Sequence, residues 1–414
     1  MDDLSANVAD RAPLLISPHV AQNIDRILHA IRCHLRMDVA FVSEFLGADR
    51  IFRSVDAADP SAPFEAGDLI PMAAGYCRHV VAGDLPELIP DTRAVALARS
   101  IPETSAIPIG AHLSVPIRLE GGQVFGTFCC FSHAPNHDLK SSDLEMVRTF
   151  GRVVASDIAT DLRADEERRA TIARINAAIG QGDPGIVCQP IVRLDDLSVA
   201  GVECLSRFSR REDGGRERFP DEWFADAHRV GMGQALEMLA VFKALDVARV
   251  LPESWTVSVN ISPETVASFE VAAILARFDP ARIVIEITEH APIQDYEPII
   301  RALAPLRAAG VRVAIDDAGA GYSSLKHILI MRPDIIKFDV SLTRNVDSDP
   351  MRKALAAALG EFARRTGTSV VAEGIETQAE LDTLRELRFN KGQGYFFGRP
   401  QPPAELLAGL VQPR

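Results

Sequence analysis

Eight short apolar, β-branched runs follow one another through the second half of the chain: IVCQPIV, VAGVECLSRF, TVSVNIS, RIVIEIT, RVAID, DIIKFD, TSVVAE and the shorter KGQGYFF. Amphipathic stretches of helical length, such as DEWFADAHRVGMGQALEMLAVFKALDVARV, separate most of them. Strands that alternate with helices lie parallel in one sheet, and eight such units close into a barrel with the helices as an outer ring. The first connection, LDDLS, is too short for a helix and reads as a hairpin. The expected fold class is therefore α/β, a modified (β/α)8 barrel with one antiparallel strand.

Polar residues that have no place in a core gather near the C-terminal ends of these runs: Glu203, Asn260, Glu286 with Glu289, Asp316 with Asp317, Lys337 with Asp339, Glu373 with Glu376, and Gln393. That face of a barrel carries its active site. So many carboxylates in one mouth repel one another unless cations neutralise them, and oxygen ligands without His or Cys favour Mg²⁺ or Mn²⁺. The count fits two metals. The adjacent Asp316 and Asp317 end a strand and enter AGAGYSSL, so one carboxylate can bridge two ions while its neighbour holds one. Each residue alone reads as a cap or a surface salt bridge; the set together does not.

The first half is built differently. Val20, Ile24, Ile27, Leu28, Ile31 and Leu35 recur at helical spacing, MDVAFVSEFL alternates like a strand, and SVPIRLEGGQVFGTFCCFSH reads as a hairpin with a Gly-Gly turn before a helix near Ser142. This predicts an α+β domain with an antiparallel sheet. From Leu144 the apolar positions Val147, Phe150, Val154, Ile158 and Leu162 continue through ADEERR to Ile172, Ile175 and Ile179, one long helix. A plain interdomain helix and a coiled coil pairing two subunits both fit that pattern.

At 414 residues the chain has room for two or three domains, each with a proper core. With 44 Lys+Arg against 57 Asp+Glu it lacks the clustered positive charge that binds a nucleic-acid polymer. Its six cysteines include no CxxC pair and read as reduced thiols. The polar start MDDLSANVADRAP and the absence of a bilayer-length apolar run predict a cytoplasmic protein with no membrane partner.

Residues from about Ile172 to Gln412 resemble the EAL domain, the phosphodiesterase that opens cyclic di-GMP to linear pGpG. The motifs are CQPI, ECLSRF, VNIS, EITE, DDAGAGYSSL, IKFD, AEGIE and QGYFFGRP, in the family's order. The resemblance implies that Glu203, Asn260, Glu286 and Asp316 hold one metal and that Asp316, Asp317 and Glu373 hold the second. A water activated between the two ions is the implied nucleophile, with Glu373 as general base and Lys337 orienting the water and steadying phosphoryl charge. Gln189 and Arg207 would contact the dinucleotide, Gln393 and Glu376 would support the pocket, and Glu289 would brace the loop after Asp317. Asp339 belongs to the same supporting set. Residues from about Leu15 to Asp161 resemble a GAF domain through YCRHVVAGDLPELIPDTR, the GAHLSVPIRLEGGQVFGTFCCF hairpin and the closing helix. That implies a sensory pocket whose ligand the sequence leaves unknown. Cys77 reads as a structural thiol, and His79, His112 and His133 as packing or surface residues.

The expected organisation is a GAF domain over 15–161, a linking helix over 162–182 and an EAL domain over 183–414, paired as a homodimer. Cys204 stands where the EAL triplet has Ala, and Cys188 stands for the family's aromatic; neither is a ligand position. Ala318 replaces the family's Phe in the loop after the two aspartates, which bears on rate and regulation. Three functions compete: an active cyclic di-GMP phosphodiesterase, a receptor that holds the dinucleotide without cutting it, and a phosphodiesterase for another nucleotide. The filled ligand positions favour the first, and Gln189 with Arg207 disfavours the third.

Overall fold

The structure, a computed structural model, describes residues 16–59, 62–209, 218–287, 293, 295–318 and 322–411. The chain divides into two compact units, Met1–Arg169 and Ala170–Arg414.

The first unit opens with a helix over Pro18–Leu35, whose N-cap Ser17 accepts from the Val20 amide and which buries Val20, Ile24, Leu28, Ile31 and Leu35. Its sheet contains β1 (Val39–Leu46), β2 (Asp49–Ala57), β3 (Leu69–Pro71), β4 (Leu88–Ile89), β5 (Ala111–Arg118) and β6 (Val124–Ser132), in the order β3-β2-β1-β6-β5-β4. All its pairings are antiparallel. Gly121 and Gly122, with φ of +94° and +86°, make the tight β5–β6 turn in a conformation that side-chain-bearing residues resist. One face of the sheet packs Ala40, Val42, Leu113 and Phe128 against the first helix and against Val147, Val154 and Ile158 of the long helix Ser141–Gly180. The other face packs Phe41, Phe52, Phe64, Tyr76 and Cys77. β2 adds a strand the apolar pattern conceals, because Arg50, Arg53 and Asp56 interrupt it.

The second unit is a closed barrel of β7 (Gly185–Arg193), β8 (Val199–Arg207), β9 (Thr256–Ile261), β10 (Ile283–Ile287), β11 (Arg312–Ala318), β12 (Ile335–Phe338), β13 (Ser369–Ala372) and β14 (Lys391–Gly392). β7 is antiparallel to both neighbours, β8 and β14, and the other pairings are parallel. Two expectations change. The run KGQGYFF supplies a strand of only two residues, because the chain turns after Gly392. The long helical stretch is two helices, Pro220–Arg229 and Gly233–Asp246, separated where Gly231 takes φ +80°. The helix Ser141–Gly180 is continuous over 40 residues, and within the second unit its Ile175 and Ala178 pack on Trp223, Ala227 and Leu236.

Candidate active site

The strand ends bring the acidic residues together around one lysine. Lys337, on β12, is buried to 1% exposure. Its ammonium lies 2.7 Å from Glu286 Oε2 on β10, 2.7 Å from Glu373 Oε1 after β13, 2.9 Å from Asp316 Oδ1 on β11 and 3.4 Å from Glu203 Oε2 on β8. Asn260 on β9, in register with Glu286, donates to Glu203 Oε1 at 3.0 Å. On the opposite side of Glu203, Gln393 Nε2 donates to Glu203 Oε2 at 2.7 Å and to Gln189 Oε1 at 2.8 Å. Gln189 in turn donates to the Gly398 carbonyl at 3.2 Å. The register Gln189↔Glu203 across the antiparallel β7–β8 pair puts both side chains within reach of Gln393.

Four carboxylates share one ammonium, so the cluster carries excess negative charge in a buried place. Burial pushes Glu286 well above the usual carboxylate range; Lys337 opposes this, and Glu203 and Asp316 add to it. Glu373 is pushed up to about 8 by burial, against Lys337 and with Asp316 and Glu203. Glu203 is also penalised by burial, yet Lys337, Asn260 and Gln393 together hold it below its ordinary value. Burial disfavours the Lys337 charge, but Asp316, Glu203, Glu286 and Glu373 outweigh it and raise that group well above its usual value. One cation thus holds Glu203 ionised, while Glu286 and Glu373 are pushed toward their protonated forms unless more positive charge arrives. Asp316 Oδ1 is buried and faces the Lys337 ammonium, but not in hydrogen-bonding geometry. An all-oxygen donor set with unspent negative charge fits divalent cations such as Mg²⁺ or Mn²⁺. Among the described residues the carboxylates are grouped about the ammonium, and no three are drawn together as a metal cluster.

The remaining predicted residues are placed less centrally. Arg207 ends β8, exposed, with Nη1 donating to the Ser206 carbonyl at 2.8 Å. Asp339 caps the helical turn Val340–Thr343 by accepting from the Ser341 amide at 2.9 Å. Glu376 is not brought into the cluster: its carboxylate pairs with Arg344 at 2.9 Å near the surface. Glu289 and the side chain of Asp317 lie outside the described residues. Ala318 is the last residue of β11, opposite Phe338 of β12, and is buried at 2% in the barrel core instead of lying on an open rim.

A second buried polar group lies in the first unit. Arg50 on β2 is 1% exposed; it pairs with Glu103 and donates to Cys77 Sγ at 2.8 Å. Cys77 Sγ is 3.6 Å from Cys129 Sγ, and Ser114 Oγ is 2.9 Å from the latter. Cys129 and then Arg50 bring the Cys77 thiol down to about 5 despite burial, whereas burial raises Cys129. His112 stacks on Tyr76 with centroids 4.3 Å apart and is fully buried. Composition gives no hint of this group. Alternation at the start of β2 does, because it puts Arg50 on the same face as Phe52, before the register shift opposite Val42 and Ser43 turns Ser54 to Asp25 of the first helix.

Residues 172–400 match the family described as the EAL domain, and residues 19–158 match the GAF domain. The chain belongs to the EAL domain family. The cyclic di-GMP phosphodiesterase NbdA of Pseudomonas aeruginosa is 29% identical over 284 residues, 65% of this chain and 35% of NbdA. MucR of the same organism, a bifunctional diguanylate cyclase/cyclic di-GMP phosphodiesterase, is 28% identical over 233 residues, 54% of this chain and 34% of MucR. A solved cyclic di-GMP complex of the PaMucR phosphodiesterase superposes with TM-score 0.52 at 26% identity, covering 57% of this chain and 99% of that one. The chain spans 30 to 48% of the length of three further curated relatives that it matches. No described helix is long and apolar enough to cross a membrane.

Proposed function

We propose that this EAL protein hydrolyses cyclic di-GMP to linear pGpG with divalent metal, under control of its GAF domain. The observation that carries the reading is the buried set of Glu203, Asn260, Glu286, Asp316 and Glu373 around Lys337, negative in excess and built from oxygen donors. Relatives named as cyclic di-GMP phosphodiesterases support the substrate.

Two cations held by Glu203, Asn260, Glu286 and Asp316, and by Asp316, Asp317 and Glu373, would neutralise the cluster and supply a water acidic enough to ionise near neutral pH. The chain's own groups do the rest. Lys337 holds its ammonium where negative charge builds on the phosphoryl oxygens. The Glu373 carboxylate accepts the proton of the attacking water. The water oxygen bonds to phosphorus, the bond to one 3′-oxygen breaks, and that oxygen takes a proton from solvent to leave as a hydroxyl, while Glu373 returns the proton it accepted to solvent. Arg207 offers a two-pronged donor to a phosphate. Gln189 contacts the dinucleotide, held in place by Gln393 and the Gly398 carbonyl. Pairing of two subunits along the long helix belongs to the same reading, supported by that helix's length and charge pattern.

Purified full-length protein incubated with cyclic di-GMP and Mg²⁺ or Mn²⁺ should yield pGpG on chromatography, and Glu203→Ala should abolish the product. Ca²⁺ should inhibit, since its looser coordination misplaces the water. A folded wild type that binds the dinucleotide and forms no linear product with either metal is a receptor, and the enzymatic reading falls.

A further inference from the structure

Arg207 is exposed, but the backbone that carries it is held on both sides by contacts that lead to one helix. On the strand side, Arg207 pairs in register with Gly185 across β7–β8. Just beyond it, Phe208 stacks flat on Trp223, with ring centroids 4.8 Å apart and planes 9° apart, and meets Phe224 edge-on at 5.8 Å. Ser209 then makes two bonds to one carboxylate: its amide donates to Asp183 Oδ2 at 3.1 Å and its hydroxyl to Asp183 Oδ1 at 2.8 Å.

Both partners report to the end of the helix Ser141–Gly180. Trp223 is buried at 3% exposure in a cluster with Ile175 and Ala178 of that helix. The Arg174 guanidinium, one helical position before Ile175, lies 6.0 Å from the Trp223 ring and pairs with Asp226 on the same short helix. Asp183, also buried, sits in the turn that closes the long helix, its amide donating to the Ala178 carbonyl at 3.0 Å. A stacked ring on one side and a two-pronged carboxylate on the other fix the direction in which Arg207 leaves the barrel. Among the described residues, the ring and hydrogen-bond partners of Phe208 and Ser209 are Trp223, Phe224 and Asp183, outside the carboxylate cluster.

We propose that Phe208 and Ser209, seated on Trp223 and Asp183, are positioning residues for Arg207, and that they pass the placement of the long helix on to affinity for the dinucleotide. The inference rests on the reading that Arg207 contacts a substrate phosphate. It deepens that reading by assigning regulation to substrate capture, with the chemical step left untouched: the cluster around Lys337 is built from other strands and from the Glu203 end of β8, four residues before Arg207. A helix that shifts its Ile175–Asp183 end must carry the Phe208–Ser209 segment with it or break these contacts.

The test uses the full chain. Phe208→Leu removes the flat stack but keeps an apolar side chain, and Ser209→Ala removes the hydroxyl bond. KM should rise roughly five- to tenfold for Phe208→Leu and less for Ser209→Ala, with kcat within about twofold of wild type. Cyclic di-GMP affinity measured by calorimetry with Ca²⁺ should fall in parallel. In an Arg207→Ala background, Phe208→Leu should cause no further loss, because both changes act through one guanidinium. Arg174→Met, remote from the substrate, should move KM in the full chain and leave kcat unchanged. Folded variants with wild-type KM and affinity would overturn the proposal, as would a Phe208→Leu effect that multiplies fully with that of Arg207→Ala. A wild type that binds without cleaving sinks the enzymatic reading but still tests this one by affinity; a wild type that neither binds nor cleaves overturns both.

Discussion

Both units bury charge, but they balance it differently. In the barrel, four carboxylates converge on the single ammonium of Lys337. In the GAF unit, the buried Arg50 meets one carboxylate, Glu103, and one thiol, Cys77, beneath the rings of Phe41 and Phe52. The first arrangement has more carboxylates than its one ammonium can balance, which is what the proposed metal-assisted chemistry calls for. In the second, one guanidinium faces one carboxylate and a thiol drawn down to about 5, so any excess of negative charge is smaller than where four carboxylates share one ammonium. Buried charge alone therefore does not mark a site; the size of its imbalance does.

The sharpest way to break that comparison is to remove each central cation. Lys337→Met leaves the barrel carboxylates with no internal counter-charge. Hydrolysis should fall by on the order of 10³-fold, comparable to the loss of a group that stabilises developing charge. The folded barrel should also come to depend on Mg²⁺ for its thermal midpoint, which unfolding with and without the metal measures. Turnover close to wild type would show that the lysine is a space-filling counter-ion and no more.

The matching change in the GAF unit is Glu103→Gln, which strips Arg50 of its carboxylate. Breaking a buried pair on one side costs about 3–5 kcal/mol. The transition belonging to this unit should move down sharply in calorimetry, without the metal dependence expected of Lys337→Met. If added Mg²⁺ shifted both variants alike, the distinction between the two clusters would be lost.

Much of this was legible in the sequence, for identifiable reasons. The barrel runs carry carboxylates and amides that a core does not take, and the strand register then sets Asn260 beside Glu286 and Gln189 opposite Glu203. The hairpin LDDLS correctly predicts the antiparallel β7. What was hidden depends on side-chain direction and on local breaks. β2 escapes an apolar-run search because its inward residues include Arg50, and the break at Gly231 lies inside a stretch whose helical periodicity reads through it. The Phe208–Trp223 stack joins residues fifteen positions apart across a connection whose geometry periodicity does not encode. Glu376 is a carboxylate near the same strand end whose side chain turns to Arg344, a direction that the sequence does not encode.

A smaller effect is expected at Ala318. The sequence suggests a missing aromatic on a loop, so that Ala318→Phe would order the loop and lower the Mg²⁺ requirement. The structure puts the residue in β11, buried at 2% and opposite Phe338. A ring added there must displace packed neighbours, at a cost of about 1–3 kcal/mol. Ala318→Phe should lower the barrel's unfolding midpoint, and any gain in metal affinity would appear against that loss. A variant as stable as wild type, with a lower Mg²⁺ requirement in a turnover titration, would restore the rim reading.

The smallest change tests the GAF side with protons alone. Burial, and then the nearby Arg50 charge, bring His112 down to about 3, and its Nδ1 is buried without a hydrogen bond among the described residues. Tyr76, whose ring covers the imidazole, has its own hydroxyl raised by burial and offers no negative charge near neutrality. His112 is therefore neutral in the folded protein, while in the unfolded chain it takes up a proton near its ordinary value of 6.5. A depressed folded value means that the unfolded state binds more protons as pH falls. The contribution of His112 is then fully present above about pH 6.5 and is lost progressively from there toward about 3. The loss is about 1.4 kcal/mol per pH unit, hence on the order of 1.4 kcal/mol at pH 5.5. The transition that Glu103→Gln displaces should weaken by that amount between pH 7.5 and 5.5, and His112→Phe, which keeps a ring against Tyr76, should flatten this dependence. An equal slope in the variant would assign the acid sensitivity to carboxylates elsewhere in the unit and remove His112 from the balance.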